Sequence, residues 1–185
     1  MSIDEKTELV RKALAELLSA KSQQVTRITW RLVGGNDALA KDVIQDACVR
    51  CIEEAGQLKD LNALEAWFFR ILVNCAHNRH RRHRTLSRAK ALFSHEARQA
   101  QHPTDLPDHG LQRRIKNALW TLRRSQREAF ILVRLERLSV RESAAIMNVS
   151  EQAIRNHLHR AEQALKLELG DLREPVEERN NEDES

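Results

Sequence analysis

From Leu138 to Leu169 the chain reads LSVRESAAIMNVSEQAIRNHLHRAEQALKLEL, a pattern that few local structures accommodate. It predicts a short helix, a tight turn and a longer helix. Ser139 and Glu142 stand in capping-box register at the start of the first helix. Ala144, Ala145, Ile146 and Met147 follow as a small apolar patch. Asn148 tolerates the left-handed backbone that ends a helix, and Ser150 is placed to cap the next one. In that second helix Ile154, Leu158, Ala161 and Leu165 recur at three- and four-residue spacing and share one face. Gln152, Arg155, Asn156, His159 and Arg160 fall on the other side. That face offers hydrogen-bond donors to phosphates and base edges and suits the major groove of DNA. An ordinary helical hairpin with its polar face in water carries many of the same marks.

The rest of the chain is expected to be helical too. Its 185 residues include 5 Gly, 3 Pro and no Tyr, so turns and strands should be few. A hydrophobic fraction of 41% is enough to bury a core. The net charge of +4 says less than its distribution. Arg79, Arg81, Arg82, Arg84 and Arg88 lie in a stretch without Asp or Glu, an electrostatic footprint for a polyanion. The tail from Asp171 carries Glu174, Glu177, Glu178, Glu182, Asp183 and Glu184 and reads as solubilising charge. Cys48, Cys51 and Cys75 are an odd count without a disulfide pattern. With no signal peptide and no membrane-length apolar run, a cytoplasmic chain with reduced thiols and no membrane insertion is expected.

Along the chain, a first helix is expected from Ser2, capped with Glu5 and burying Leu9, Ala13, Leu14, Leu17 and Leu18. A second spans about Ser22 to Val33 and stops at Gly34-Gly35. Asn36 or Asp37 caps a third, with Val43, Ile44, Ala47, Cys48, Cys51 and Ile52 as its apolar stripe, ending at Gly56. Asn62 caps a long fourth helix carrying Trp67, Phe68, Ile71, Leu72 and Cys75. Periodicity fades from about Leu86 to Gly110, apart from a weak helix around Lys90 to Gln99. It returns with Leu111, Ile115, Leu119 and Leu122. Ser125 with Glu128 forms another capping box. The reading is all-α: a domain over 1–85, a flexible linker over 86–110, a helix-turn-helix domain over 111–170 and a disordered tail over 171–185.

Three further constellations stand out. Asn74 and Asn78 lie one helical turn apart, near His77, Arg81 and Arg84; carboxamides read base edges and guanidiniums hold phosphates. Phe69, off the buried spacing, is the aromatic free to stack on an unpaired base. Asp42, Gln45 and Asp46 form an acidic-polar ridge opposite the apolar stripe, suited to a basic partner or simply solvated. Cys48 and Cys51, with Cys75, His77, His80 and His83, have spacing that permits a metal. The cysteines fall on apolar stripes, where free Cys is an ordinary small hydrophobe, so no metal or other cofactor is expected. There is no phosphate loop, nucleophile elbow or carboxylate pair, so no catalytic residue and no enzyme activity are expected.

The segments DVIQDACVRCIE, AWFFRILVNCAHNRHRR and LRRSQREAFILVRLERLSVRESAAIMNVSEQAIRNHLHRAEQAL, in that order, resemble the extracytoplasmic-function group of sigma-70 RNA polymerase sigma factors. The resemblance implies that Asp42, Val43, Gln45 and Asp46 bind the β′ clamp helices of core polymerase. It places Asn74 and Asn78, with Arg79, Arg81 and Arg82, on the helix that reads the minus-ten promoter element. Leu58, Lys59 and Asp60 match the loop that captures a flipped base. Arg155, Asn156, His159 and Arg160 match the minus-thirty-five reading face, and Leu119 to Leu135 the part that packs on the β flap. By analogy an anti-sigma factor is a further partner. The chain departs from the family pattern at Asn78 (often Asp), Arg123 (usually Pro), Arg137 (usually Gly) and Gln152-Ala153 (usually Gly-Thr). The alternatives are a free-standing helix-turn-helix regulator, and a metal- or thiol-responsive protein built on the cysteines.

Overall fold

Helix α1 (Ile3–Leu32) is interrupted once, at Lys21, whose φ of −122° and ψ of 20° leave the helical region. This is where the sequence predicts a boundary between two helices, and the chain carries on across it with a kink. The structure, a computed structural model, describes residues 3–93 and 109–170. The expected Ser2 cap, the centre of the linker and the acidic tail lie outside those residues.

Gly34 and Gly35, at φ 76° and 82°, turn the chain after α1. Only glycine enters that region without strain. Asn36 then caps α2 (Asp37–Glu53) by accepting the Leu39 N–H at 2.8 Å. Two short 3₁₀ turns follow, Ala55–Gln57 and Leu61–Ala63. Asp60 caps the second by accepting the Asn62 N–H at 2.9 Å, so Asn62 receives a cap rather than supplying one. Helix α3 (Leu64–Phe93) continues past the expected boundary at 85. The second lobe comprises α4 (His109–Thr121), α5 (Arg124–Phe130), a π-helical turn (Ile131–Leu135), α6 (Val140–Met147) and α7 (Glu151–Leu169). No strand occurs among the described residues.

The first lobe is a three-helix unit around Val10, Leu14, Val25, Ile28, Val43, Ala47, Cys51, Phe68 and Leu72, all nearly inaccessible. Val10 holds the core position that the pattern gives to Leu9, which is exposed. In the second lobe Ala129, Ala144, Ile154 and Leu158 form one cluster, and Ala118, Leu122, Ala161 and Leu165 another. Ile115, expected inside, is exposed. The two lobes are not separate. Ile131, Leu132 and Ile146 of the second belong to the same buried cluster as the first-lobe core. An apolar edge of the helix-turn-helix unit that would otherwise meet water is covered by the first lobe.

The local geometry of the helix-turn-helix follows its sequence closely. Ser139 Oγ accepts the Glu142 N–H at 3.1 Å, and Glu142 Oε2 accepts the Ser139 N–H at 2.8 Å. The Ser139 hydroxyl also donates to Glu142 Oε2 at 2.6 Å, and this bond together with the Ser139 N–H holds the Glu142 carboxyl below its ordinary range. Asn148 is left-handed (φ 54°, ψ 48°), and Ser150 Oγ accepts the Ala153 N–H at 3.1 Å. Along α7, Ile154, Leu158, Ala161 and Leu165 are buried. Helix α5 begins at Arg124, with Arg123 rather than Ser125 in the cap position. Its start is fixed by Gln126 Oε1, which accepts the Arg123 N–H at 3.1 Å. Glu128 is instead a buried carboxylate held by Arg124 Nε at 2.7 Å; burial pushes its pKa up, partly offset by that arginine.

Arg137, just before α6, sits at φ 60°. A Cβ in this region costs about 1–2 kcal/mol. Arg137→Gly is therefore expected to raise stability by about 0.5–1 kcal/mol, net of the larger chain entropy of unfolded glycine. Ser139→Ala is expected to lower it by about 1 kcal/mol through loss of the cap. Denaturant midpoints of the two variants, moving in opposite directions, check both statements.

Candidate nucleic-acid interface

On α7 the buried stripe fixes what faces outward. Gln152, Arg155, Asn156, His159 and Arg160 are all exposed, on the side away from Ile154 and Leu158. Two i,i+4 contacts arrange this face before any ligand arrives. Arg155 Nη2 meets Glu151 Oε2 at 2.9 Å, and Gln152 Nε2 donates to Asn156 Oδ1 at 3.2 Å. Glu151, which no sequence signal singles out, holds the Arg155 guanidinium along the helix.

On α3 the exposure pattern differs from a single amphipathic stripe. Phe68, Phe69, Ile71, Leu72, Val73, Cys75 and Ala76 are all buried, because α3 packs on α1 and α2 and also against α6. Phe69 is 1% exposed and stacks edge-on against Phe68 with centroids 5.8 Å apart. The expectation of a free aromatic at Phe69 is thus corrected: a second packing surface claims it. Asn74 is exposed, and His77, Asn78 and Arg79 are half-buried. Arg124 of the second lobe donates from Nη2 to Asn74 Oδ1 at 3.2 Å. Arg81, Arg82 and Arg84 belong to α3 by backbone, and their side chains lie outside the described residues.

The ridge on α2 is resolved residue by residue. Asp42 and Gln45 are exposed and Asp46 is half-buried. Val43 is fully buried, so its side chain packs the core and presents nothing to a partner. Arg79 Nη2 lies 3.4 Å from Asp42 Oδ2 and 3.5 Å from Asp46 Oδ2. The acidic ridge and the polar face of α3 are therefore neighbours joined by one guanidinium. In the loop before α3, Lys59 and Asp60 are exposed while Leu58 is buried and anchors them.

The thiols sit in the packing between α2 and α3. Cys51 and Cys75 are buried and Cys48 is partly so. Burial raises all three, Cys51 to about 12. Among the described residues no group of three His, Cys, Asp or Glu is placed to hold a metal ion. His80 and His83 lie outside that set. No helix among the described residues is long and apolar enough to cross a membrane.

The comparisons with known proteins agree with this division into lobes. The family described as Sigma-70 region 2 matches residues 17–85, and Sigma-70 region 4 matches residues 112–165. The RNA polymerase sigma factor CarQ of Myxococcus xanthus is 30% identical over 164 residues, covering 86% of this chain and 91% of that protein. The ECF RNA polymerase sigma factor SigM of Mycobacterium tuberculosis is 28% identical over 164 residues, covering 88% and 80%. Among solved structures, CnrH in complex with the cytosolic domain of CnrY aligns with a TM-score of 0.64 at 21% identity, covering 91% of this chain and 95% of that one. The sigma factor RpoE of Bartonella quintana, in complex with the anti-sigma factor NepR, gives 0.61 at 24%, covering 86% and 98%.

The fold and matches define a sigma-70 factor. The chain belongs to its extracytoplasmic-function group and acts with RNA polymerase in promoter-directed transcription initiation.

A pH prediction follows from the thiols. The folded-state pKa of Cys51 lies above the ordinary value of 9.0, at about 12. Between those values the folded state holds a proton the unfolded chain has lost, so stability falls as pH rises through that window. Cys51→Ala is expected to flatten the alkaline limb of a stability-versus-pH curve, measured by urea denaturation from pH 8 upward.

Proposed function

We propose that Gln152, Arg155, Asn156, His159 and Arg160 read the minus-thirty-five element in the major groove. Asn74 and Asn78, with His77, Arg79, Arg81 and Arg82, read the minus-ten element, aided by Lys59 and Asp60 at the flipped base. Asp42, Gln45 and Asp46 dock on the β′ clamp helices, and the second lobe on the β flap. One lobe anchors duplex DNA while the other traps unpaired bases. Strand opening is then driven by binding energy, and the chain performs no covalent chemistry. Its partners are core polymerase, promoter DNA and an anti-sigma factor, and it works in the cytoplasm. Phe69 and Val43 act in this scheme only through packing.

The observation that carries the reading is the exposure along α7: each candidate reading residue faces out, and every apolar repeat faces in. The test is transcription in vitro with core polymerase on a genomic library, which returns the promoter together with the activity. Arg155→Ala is expected to weaken dependence on the upstream element by about 1–3 kcal/mol. Asn74→Ala should impair opening and downstream-element selectivity while leaving binding to upstream duplex intact. No specific initiation, combined with tight operator binding in the absence of polymerase, would favour the free-standing regulator instead.

A further inference from the structure

Arg113 to Asn117, consecutive residues of α4, are all exposed, so among the described residues no element closes over any side of this stretch. Ile115 is 41% exposed there. Yet it stands three residues before Ala118 and seven before Leu122, on the stripe that buries α4 in its lobe. That stripe packs on the C-terminal half of α7. Ala118 and Leu122 share a cluster with Ala161 and Leu165, and Leu169, at the end of α7, packs against it. From Leu122 the chain turns into α5, which carries Ala129 to Ile154 and Leu158 near the start of α7. Helix α4 therefore runs against α7, and its first turns project past the point where α7 stops.

The chain continues from that point. Beyond Gly170 it reads DLREPVEERNNEDES, and apart from Pro175 its apolar residues are Leu172 and Val176 alone. They stand three and seven residues after Leu169, so they extend the series Leu158, Ala161, Leu165, Leu169 at the same spacing. Pro175 disfavours helix at the residue before it, which leaves room for one more turn and then an extended step to Val176. A turn advances about 5.4 Å and an extended residue about 3.3 Å, enough to pass the turn of α4 that bears Ile115. The charges match as well. Residues 171–178 hold the carboxylates Asp171, Glu174, Glu177 and Glu178 against one arginine, whereas α4 has Arg113, Arg114 and Lys116 and no Asp or Glu. Covering Ile115 removes apolar surface from water, and the opposite charges add an attraction that salt screens.

We propose that residues 171–178 fold back over the first turns of α4, with Leu172 and Val176 on Ile115 and the carboxylates beside Arg113 and Lys116, and that this cover competes with the polymerase β flap for the second lobe. The competition rests on the reading of that lobe as the flap-docking part. Leu119, where the segment that resembles the flap-docking part begins, packs on the same cluster as Leu169, so the cover ends where the flap would begin. A tether of a few residues gives an effective concentration on the order of millimolar, and dilution does not remove the cover. A partner must displace it, and its apparent affinity is lowered to the fraction of chains that stand uncovered.

The test uses the full chain. Hydrogen exchange read by mass spectrometry follows the α4 amides in the wild type, Leu172→Ser/Val176→Ser and Lys116→Glu, with circular dichroism confirming helicity. Both variants should exchange three- to tenfold faster than the wild type around Ile115, and raised salt should move the wild type the same way. Ile115→Cys with Leu172→Cys should close a disulfide under mild oxidation, seen as a linked peptide pair after digestion. Leu172→Cys with Gln152→Cys, at the other end of α7, should not. The native thiols are buried or half-buried with raised pKa, which slows their part in such a reaction. In parallel, Leu172→Ser/Val176→Ser should bind core polymerase three- to tenfold more tightly. Equal exchange in the wild type and Leu172→Ser/Val176→Ser, or no linkage at position 115, overturns the proposal. Protection that rises with protein concentration, together with a dimer mass by light scattering, overturns it in favour of a second copy as the occupant. Lost protection with unchanged affinity for core polymerase overturns the competition. Protection and linkage in a chain that binds core polymerase in neither form would keep the cover and remove the polymerase reading, so the two failures are distinguishable.

Discussion

How closely α2 approaches α3 decides what each of them can show to a partner. The buried positions of α2 include Ala40, Ala47 and Cys51, and those of α3 include Phe68 and Leu72. Small residues facing large ones let the two helices lie near each other and interlock. That proximity brings Asp42 and Asp46 within reach of Arg79. The acidic ridge and the amide-bearing face of α3 are thus fixed relative to each other by a dry core rather than by the weak ion pair that spans them. A change in seam volume would disturb both faces together.

In the second lobe the equivalent constraint is local. Two serine caps and one left-handed asparagine set the angle between α6 and α7, and the stripe from Ile154 to Leu165 sets the rotation of α7 about its axis. The outward polar face of α7 is oriented within its lobe by these few local contacts. The intrahelical partners of Arg155 and Asn156 restrict their side chains, which would lower the ordering cost of any recognition through this face.

What was legible in the sequence follows from this contrast. Caps and the buried stripe of α7 involve residues three or four apart, so their signal is contained in a short window, and Ser139, Glu142, Asn148 and Ser150 take the roles their types predict. Helix α3 was less legible because two surfaces bury it. A one-face pattern leaves Phe69 outside, whereas the second surface encloses it. Asp60 caps a 3₁₀ turn ahead of α3, a three-residue element with no apolar period to mark its start. Arg27, Arg31, Arg70 and Arg124 meet partners 50 to 109 residues away, and no periodicity marks such pairs. They look like solvated charges until the chain is folded. The family resemblance was readable because it needs only the order and spacing of segments.

The left-handed backbone at Arg137 bears on how freely this turn can diverge. The steric penalty there belongs to the first carbon of the side chain and is shared by nearly every residue other than glycine and, less so, asparagine. Once that penalty is tolerated, the remainder of the side chain, which points into solvent, can drift in charge and size with little further effect. The position is thus closed to selection on shape and open to selection on surface chemistry, so related chains that have abandoned glycine here should show a wide assortment of residues on one unchanged bend.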